Sequence, residues 1–211
     1  MSASNHAQRE RLELSDLLDS VGADAPTLCE GWTTRDLAAH LVVREARPDA
    51  ALGVAGGPLS GWTDRVTKAE AQKDYSTIVE KVRTGPPLLS VFSILGAAGL
   101  VNLVEYVVHH EDVLRAQPNW QPRQLPDDLG DELWSKVSMP ARRALRGAKS
   151  GVRFIRTDGS RGALVAHEGE PWVTVTGSAL ELLMIAFGRH VVDVTVDGDE
   201  AAVEKFRAQY L

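Results

Sequence analysis

Apolar positions recur with helical spacing over the first two-thirds of the chain and with strand spacing over the last third, which predicts an α+β protein of two domains, residues 1–125 and 126–211. Leu14, Leu17, Leu18 and Val21 repeat at i, i+3, i+4 and i+7, so an amphipathic helix is expected from about Asn5 to Val21, ended by Gly22. A loop with Pro26 and Cys29 follows. Thr33 with Asp36 three residues on resembles a capping box carrying Asp in place of Glu, and predicts a helix from about Thr34 to Ala46, before Pro48. Beyond a Gly-rich stretch (Gly53 to Gly61), Ile78, Val79 and Val82 mark a third helix that closes at Thr84-Gly85-Pro86, and a fourth runs from about Leu100 to Ala116. Together these read as an antiparallel four-helix bundle with one short extra helix before the last. Leu88 to Val108 is apolar enough to suggest a membrane span. Gly96, Gly99, Asn102 and Glu105 interrupt it, and a carboxylate is costly in lipid, so it reads as a short helix followed by a buried one.

Prolines and acids from Gln117 to Asp128 (Pro118, Pro122, Pro126, Asp127) break any regular pattern and put the expected boundary near Leu125. Past Gly147, Val152 to Thr157, Ala163 to His167 and Trp172 to Thr176 are short β-prone runs. Asp158-Gly159 and Glu168-Gly169-Glu170-Pro171 separate them as turn signals, which predicts three antiparallel strands. A helix from about Ser178 to Gly188 comes next. Val192, Val194 and Val196 then alternate with Asp193 and Thr195 in a strand over Val191 to Val196, and Asp197-Gly198 turns the chain into a closing helix ending near Tyr210. The whole is a helical bundle followed by a small α/β domain with a mostly antiparallel sheet.

Charge narrows the partners. Lys plus Arg number 23 against 29 Asp plus Glu, a net charge of −6, and no basic stripe is set to neutralise phosphates, so no nucleic-acid partner is expected. Cys29 is the single cysteine, which rules out an internal disulfide and a cysteine-rich zinc knot and fits a reducing cytoplasm. The N-terminal stretch lacks the basic start and apolar core of a secretory signal, so the mature protein is expected to begin near Met1, with no membrane partner.

Chemistry concentrates on two helices. Glu105 and His109 stand at i and i+4 and leave one face of the fourth helix together. His40, beside Leu37 and Leu41, should point into the bundle. Two His and one Glu suit zinc or another divalent metal and would leave an open coordination position. On spacing alone a second reading stands beside this one, a chance pair and a hydrogen-bonded core histidine. Asp112 could orient His109 from three residues on, while His110 points about 100° around the helix. Glu45, five residues from His40, is a reserve ligand. Cys29 reads as a packed small residue. Arg189, after the apolar helix Leu180 to Phe187, could grip a substrate carboxylate or be a solvated charge at a helix end. The five tryptophans (Trp32, Trp62, Trp120, Trp134, Trp172) read as core and domain-interface packing.

Two segments carry a family pattern: Leu28-Cys29-Glu30-Gly31-Trp32-Thr33-Thr34-Arg35-Asp36-Leu37-Ala38-Ala39-His40-Leu41, and later Glu105-Tyr106-Val107-Val108-His109-His110-Glu111-Asp112-Val113. Together they resemble the mycothiol-dependent maleylpyruvate isomerase family, whose N-terminal domain is a DinB-like metal-binding four-helix bundle. The resemblance covers roughly Ser4 to Pro122, and its bundle motif is closer to a branch described only as metal-binding. It implies His40, Glu105 and His109 as metal ligands, zinc and the thiol mycothiol as cofactors, and a functional arginine after an apolar helix of the smaller domain, where Arg189 stands. The expected function is therefore a metal- and thiol-dependent transferase or isomerase. In it the metal holds a small thiol as thiolate against a small-molecule electrophile. The alternative is a non-catalytic protein that binds metal and a small molecule.

Overall fold

A computed structural model describes residues 3–46, 60–85, 98–160 and 162–211. The chain forms two compact units, Met1–Gln121 and Pro122–Leu211. The first is helical and the second combines helices with a four-stranded sheet, an α+β protein.

In the first unit, α1 covers Ala3–Val21, α2 Thr34–Ala46, α3 Ser60–Ala71, α4 Tyr75–Thr84 and α5 Ala98–Leu114. The helical stripe of α1 buries Leu14 and Leu18. Gly22, at φ +83, takes the left-handed turn that ends the helix and donates its N–H to Leu18 O at 3.1 Å. The start of α2 is fixed as its sequence predicts. Asp36 Oδ2 accepts from the Thr33 N–H at 3.0 Å and from the Thr33 hydroxyl at 2.7 Å. Asp74 caps α4, and Gly85, at φ +76, closes it with an N–H to Lys81 O at 3.0 Å. α1 packs on α5 and α4, and α2 on α3 and α4. Ile78, Val79, Val82, Leu103 and Val107 join the α1 and α2 leucines in the core.

α3 was not expected. Its polar composition hides any stripe, and Gly61, read as the end of a loop, lies in its first turn. The rest of that loop, Pro48 and the short helix expected before α5 fall outside the described residues. No described helix is long and apolar enough to cross a membrane.

In the second unit, α6 covers Asp127–Ala144, β1 Gly151–Arg156, β2 Ala163–His167, β3 Trp172–Gly177, α7 Ala179–Ala186, β4 Thr195–Gly198 and α8 Glu200–Tyr210. α6 begins at the end of the broken stretch Gln117 to Asp128 and covers residues for which the sequence predicted no element. Leu129, Leu133, Val137 and Ala141 recur every fourth residue and are buried, and the first turn carries Asp127 and Asp128 against Arg142 and Arg143 in the last, a charge order matched to the helix dipole. Gly130 and Pro140 had masked that stripe.

The sheet runs β2-β1-β3-β4, with β1 antiparallel to β2, β3 antiparallel to β4, and β1 parallel to β3. The expected three antiparallel strands are therefore corrected to a mixed sheet: Glu168–Pro171 does not make a hairpin but carries the chain across the start of β1. Gly151 permits the crossing. A Cβ there would lie 2.3 Å from Gly169 O, and the Gly151 N–H donates to Pro171 O at 3.0 Å. The last strand also starts later than its alternation suggested, at Thr195, because the Asp193 N–H is held by Glu181 Oε2 at 2.8 Å. Asp197 and Gly198 pair within β4, and the turn falls at Asp199, which caps α8 through Ala202 N at 3.0 Å.

Candidate metal centre

His40 lies in α2, and Glu105 and His109 lie one turn apart on α5. One donor atom from each falls within 4.8 Å of the others. The His109 Nε2 to Glu105 Oε2 separation is 3.5 Å, and the His40 and His109 rings stand edge to face at 5.3 Å between centroids. The three residues singled out by motif and spacing thus converge on one point inside the first unit.

The surroundings set their protonation. Burial, together with the neighbouring His109 and Arg44, lowers His40 to about 4, against a smaller opposing pull from Glu105, so its ring is neutral at pH 7. Burial alone would raise Glu105. The hydrogen bond from His109 and the charges of Arg44, His109 and His40 outweigh it and hold the carboxyl at about 2. For His109, burial opposes the charged ring, but hydrogen bonds with Asp112, Cys29 and Glu105 prevail and raise it well above an ordinary imidazole. Its Nδ1 is 3.0 Å from Asp112 Oδ2, in keeping with the orienting role that the three-residue spacing suggested. With Nδ1 turned to Asp112, Nε2 is the nitrogen left for Glu105 and an ion.

Three further residues frame the cluster. Cys29, expected only to pack, donates its thiol to Asp112 Oδ2 at 3.2 Å and stands 4.0 Å from His109 Nδ1. The loop that carries it is tied to α5 by the Leu28 N–H on Asp112 O at 2.9 Å. Arg44 places Nε 3.4 Å from Glu105 Oε2 and Nη1 2.8 Å from Asn102 Oδ1. Arg44 and Asn102 escaped the sequence reading, although Arg44 follows His40 at i+4 and shares its face. The Trp32 ring packs against His40, tilted by 51° with 5.0 Å between centroids.

Other candidates lie elsewhere. Glu45, the reserve ligand, binds Arg11 Nη2 at 3.0 Å and the hydroxyl of Tyr106 rather than joining the cluster. His110 faces away from it, toward α1. Arg189 follows α7 in the second unit, half-buried, with Nη1 on Phe187 O at 2.7 Å. Among the tryptophans, Trp62 is exposed rather than packed in the core, and Trp120 lies under Arg115.

Two neutral or ionisable imidazoles and a carboxylate are the donors zinc and similar divalent ions take, and three protein donors leave a fourth position open. The observed 3.5 Å between Nε2 and Oε2 suits them. It is the edge of a tetrahedron whose metal–ligand bonds are about 2.1 Å.

Residues 6–90 match the family described as the mycothiol maleylpyruvate isomerase N-terminal domain. Two solved structures share the fold, one titled as the mycothiol-dependent maleylpyruvate isomerase and one as a histidine-to-alanine mutant of it. Each superposes with a TM-score of 0.61 at 15% identity, over 92% of this chain and 90% of that one. No curated protein matched the chain. The family match bears out the resemblance carried by the first sequence segment, Leu28 to Leu41, and the second, Glu105 to Val113, lies beyond the matched residues.

Proposed function

We propose, from the premise that the N-terminal region belongs to the mycothiol maleylpyruvate isomerase N-terminal domain family, that this protein is a metal- and thiol-dependent isomerase or transferase acting on a small electrophile. The convergence of His40, Glu105 and His109 within 4.8 Å, with His109 held by Asp112, carries this reading. A zinc-class ion bound there would keep a thiol sulfur deprotonated at neutral pH, where a free thiol near 8.5 is mostly protonated. Mycothiol is the thiol that the family relationship points to.

The chain's own residues do the rest. His40 and His109 offer ring nitrogens, Glu105 offers a carboxylate already ionised, and Asp112 fixes which nitrogen of His109 faces the ion. Arg44, buried beside Glu105, holds that carboxylate in place and keeps the cluster from carrying an uncompensated negative charge. Arg189 is the candidate anchor for a substrate carboxylate, its planar guanidinium being suited to a two-pronged grip.

Elemental analysis of the His40→Ala/Glu105→Ala double variant tests the ligand set. The variant is expected to lose one equivalent of divalent metal relative to the parent while its far-ultraviolet circular dichroism is kept, because the bundle has its own apolar core. Metal content equal to the parent's would refute the assignment. In the cobalt-loaded parent, mycothiol or a simpler thiol is expected to produce a near-ultraviolet sulfur-to-metal band, and a spectrum indifferent to thiols would remove the thiol-activating role.

A further inference from the structure

We infer a second divalent-cation site on another face of α5, formed by Glu10 and Glu13 of α1 with His110 of α5. One donor atom from each of the three lies within 4.8 Å of the others. His110 follows His109 directly, but successive residues leave a helix about 100° apart. Its ring is therefore carried away from His40 and onto the face where α1 packs.

The observation that points to a ligand is the state of the His110 ring. The residue is 7% exposed and its Nδ1 makes no hydrogen bond. Facing it is Glu10 Oε2 at 3.5 Å, on a residue only 2% exposed. That approach makes no hydrogen bond. Its length equals the separation of His109 Nε2 and Glu105 Oε2 in the cluster described above, and it matches the edge of a tetrahedron about an ion with bonds of about 2.1 Å. A buried imidazole nitrogen left without a bond is costly, and an ion held between it and the Glu10 carboxylate would satisfy it.

The donor chemistry selects the ion. Glu10 and Glu13 are spaced i, i+3 on one face of α1, the arrangement by which facing helices build carboxylate–histidine metal sites in bundles. Glu13 also meets Arg9, whose Nε lies 2.9 Å from its Oε1. One imidazole with two carboxylates suits a first-row divalent transition ion of the zinc, cobalt or manganese class. The site lies wholly within the first unit, so it would tie α1 to α5 independently of the His40 cluster.

The test uses the full-length protein stripped of metal and titrated with Co2+ against a chromophoric chelator, with elemental analysis of the loaded samples. The parent is expected to take two equivalents. Glu10→Gln/Glu13→Gln is expected to take one, His40→Ala/Glu105→Ala the other one, and the fourfold variant none. Glu13 is half-exposed, so Glu13→Gln alone puts little folding at risk, and it should weaken one of the two equivalents at least tenfold while sparing the other. A parent that binds a single equivalent, lost in His40→Ala/Glu105→Ala and kept in the Glu10/Glu13 variant, would overturn the second site and leave the first standing. The reverse pattern would overturn the first and leave the second.

Discussion

Asp112→Asn isolates what the residues behind the proposed ligands contribute. Asp112 is fully buried, and its Oδ2 accepts from His109 Nδ1 at 3.0 Å and from the Cys29 thiol at 3.2 Å. Asparagine keeps the shape and one acceptor but removes the charge, so the imidazole loses the partner that fixes its tautomer and raises its basicity. Removing such a partner typically costs 10- to 100-fold in metal affinity, about 1.4–2.8 kcal/mol.

The size of the loss should depend on pH in a way that reports its cause. In the parent, Asp112 holds His109 well above its ordinary value, so at neutral pH an ion must displace a proton. Asp112→Asn lowers that proton affinity, and the reduced competition offsets part of the lost ligand strength near pH 7. Above the range in which His109 titrates, the competition vanishes and the full loss shows. Chelator-competition titrations of zinc should therefore find the variant weaker at high pH, with a smaller gap at neutral pH. Cys29→Ala, which leaves the carboxylate in place, serves as the control. Equal affinity of Asp112→Asn and parent at high pH, with circular dichroism unchanged, would refute the orienting role.

Binding of one ion at the His40 cluster should release about one proton at pH 7. His109 is protonated there, whereas His40, at about 4, and Glu105, at about 2, have none to give. Calorimetry of the Glu10→Gln/Glu13→Gln variant in buffers of different ionisation enthalpy measures this, and zero release would contradict the protonation pattern. In the second unit, Gly151→Ala would press a Cβ to 2.3 Å from Gly169 O and 2.7 Å from the Trp172 ring, and should destabilise the unit by about 1–3 kcal/mol. Denaturant unfolding followed by tryptophan fluorescence reads it, and an unmoved midpoint would refute the tight crossing over β1.

What could be read from sequence followed the strength of local signals. α2 appears over Thr34–Ala46 as predicted because Thr33 and Asp36 fix its first turn by themselves, and α4 closes at Gly85 because only a left-handed residue ends a helix that way. α3 and α6 were passed over for opposite reasons. α3 is too polar to show a stripe, and α6 shows one through Leu129, Leu133, Val137 and Ala141 but carries Gly130 and Pro140 inside it. The sheet order was out of local reach. Three β-prone runs joined by two turns are equally compatible with a meander and with β1 in the middle. What decides between them is a contact between Gly151 and Gly169 that no periodicity encodes.

The same limit explains which groups around α5 could be paired from sequence. Glu105, His109, His110, Glu111 and Asp112 place ionisable groups on almost every side of one helix, so spacing along α5 cannot tell which of them share a site. The assignment is made by what each meets across the bundle. His109 meets His40 from α2 and Asp112 from its own turn, His110 meets Glu10 from α1, and Glu111 closes on Arg115 at 2.6 Å with both side chains fully buried. The contacts of Cys29 and Arg44 with α5 were out of reach for this reason. Each takes its role from α5, Cys29 through a loop pinned to Asp112 and Arg44 through Glu105, and neither carries any mark of that partner in its own neighbourhood of the sequence. A buried helix with polar groups on several faces can thus carry more than one polar cluster. Metal stoichiometry in variants that disable one face at a time is the measurement that separates them.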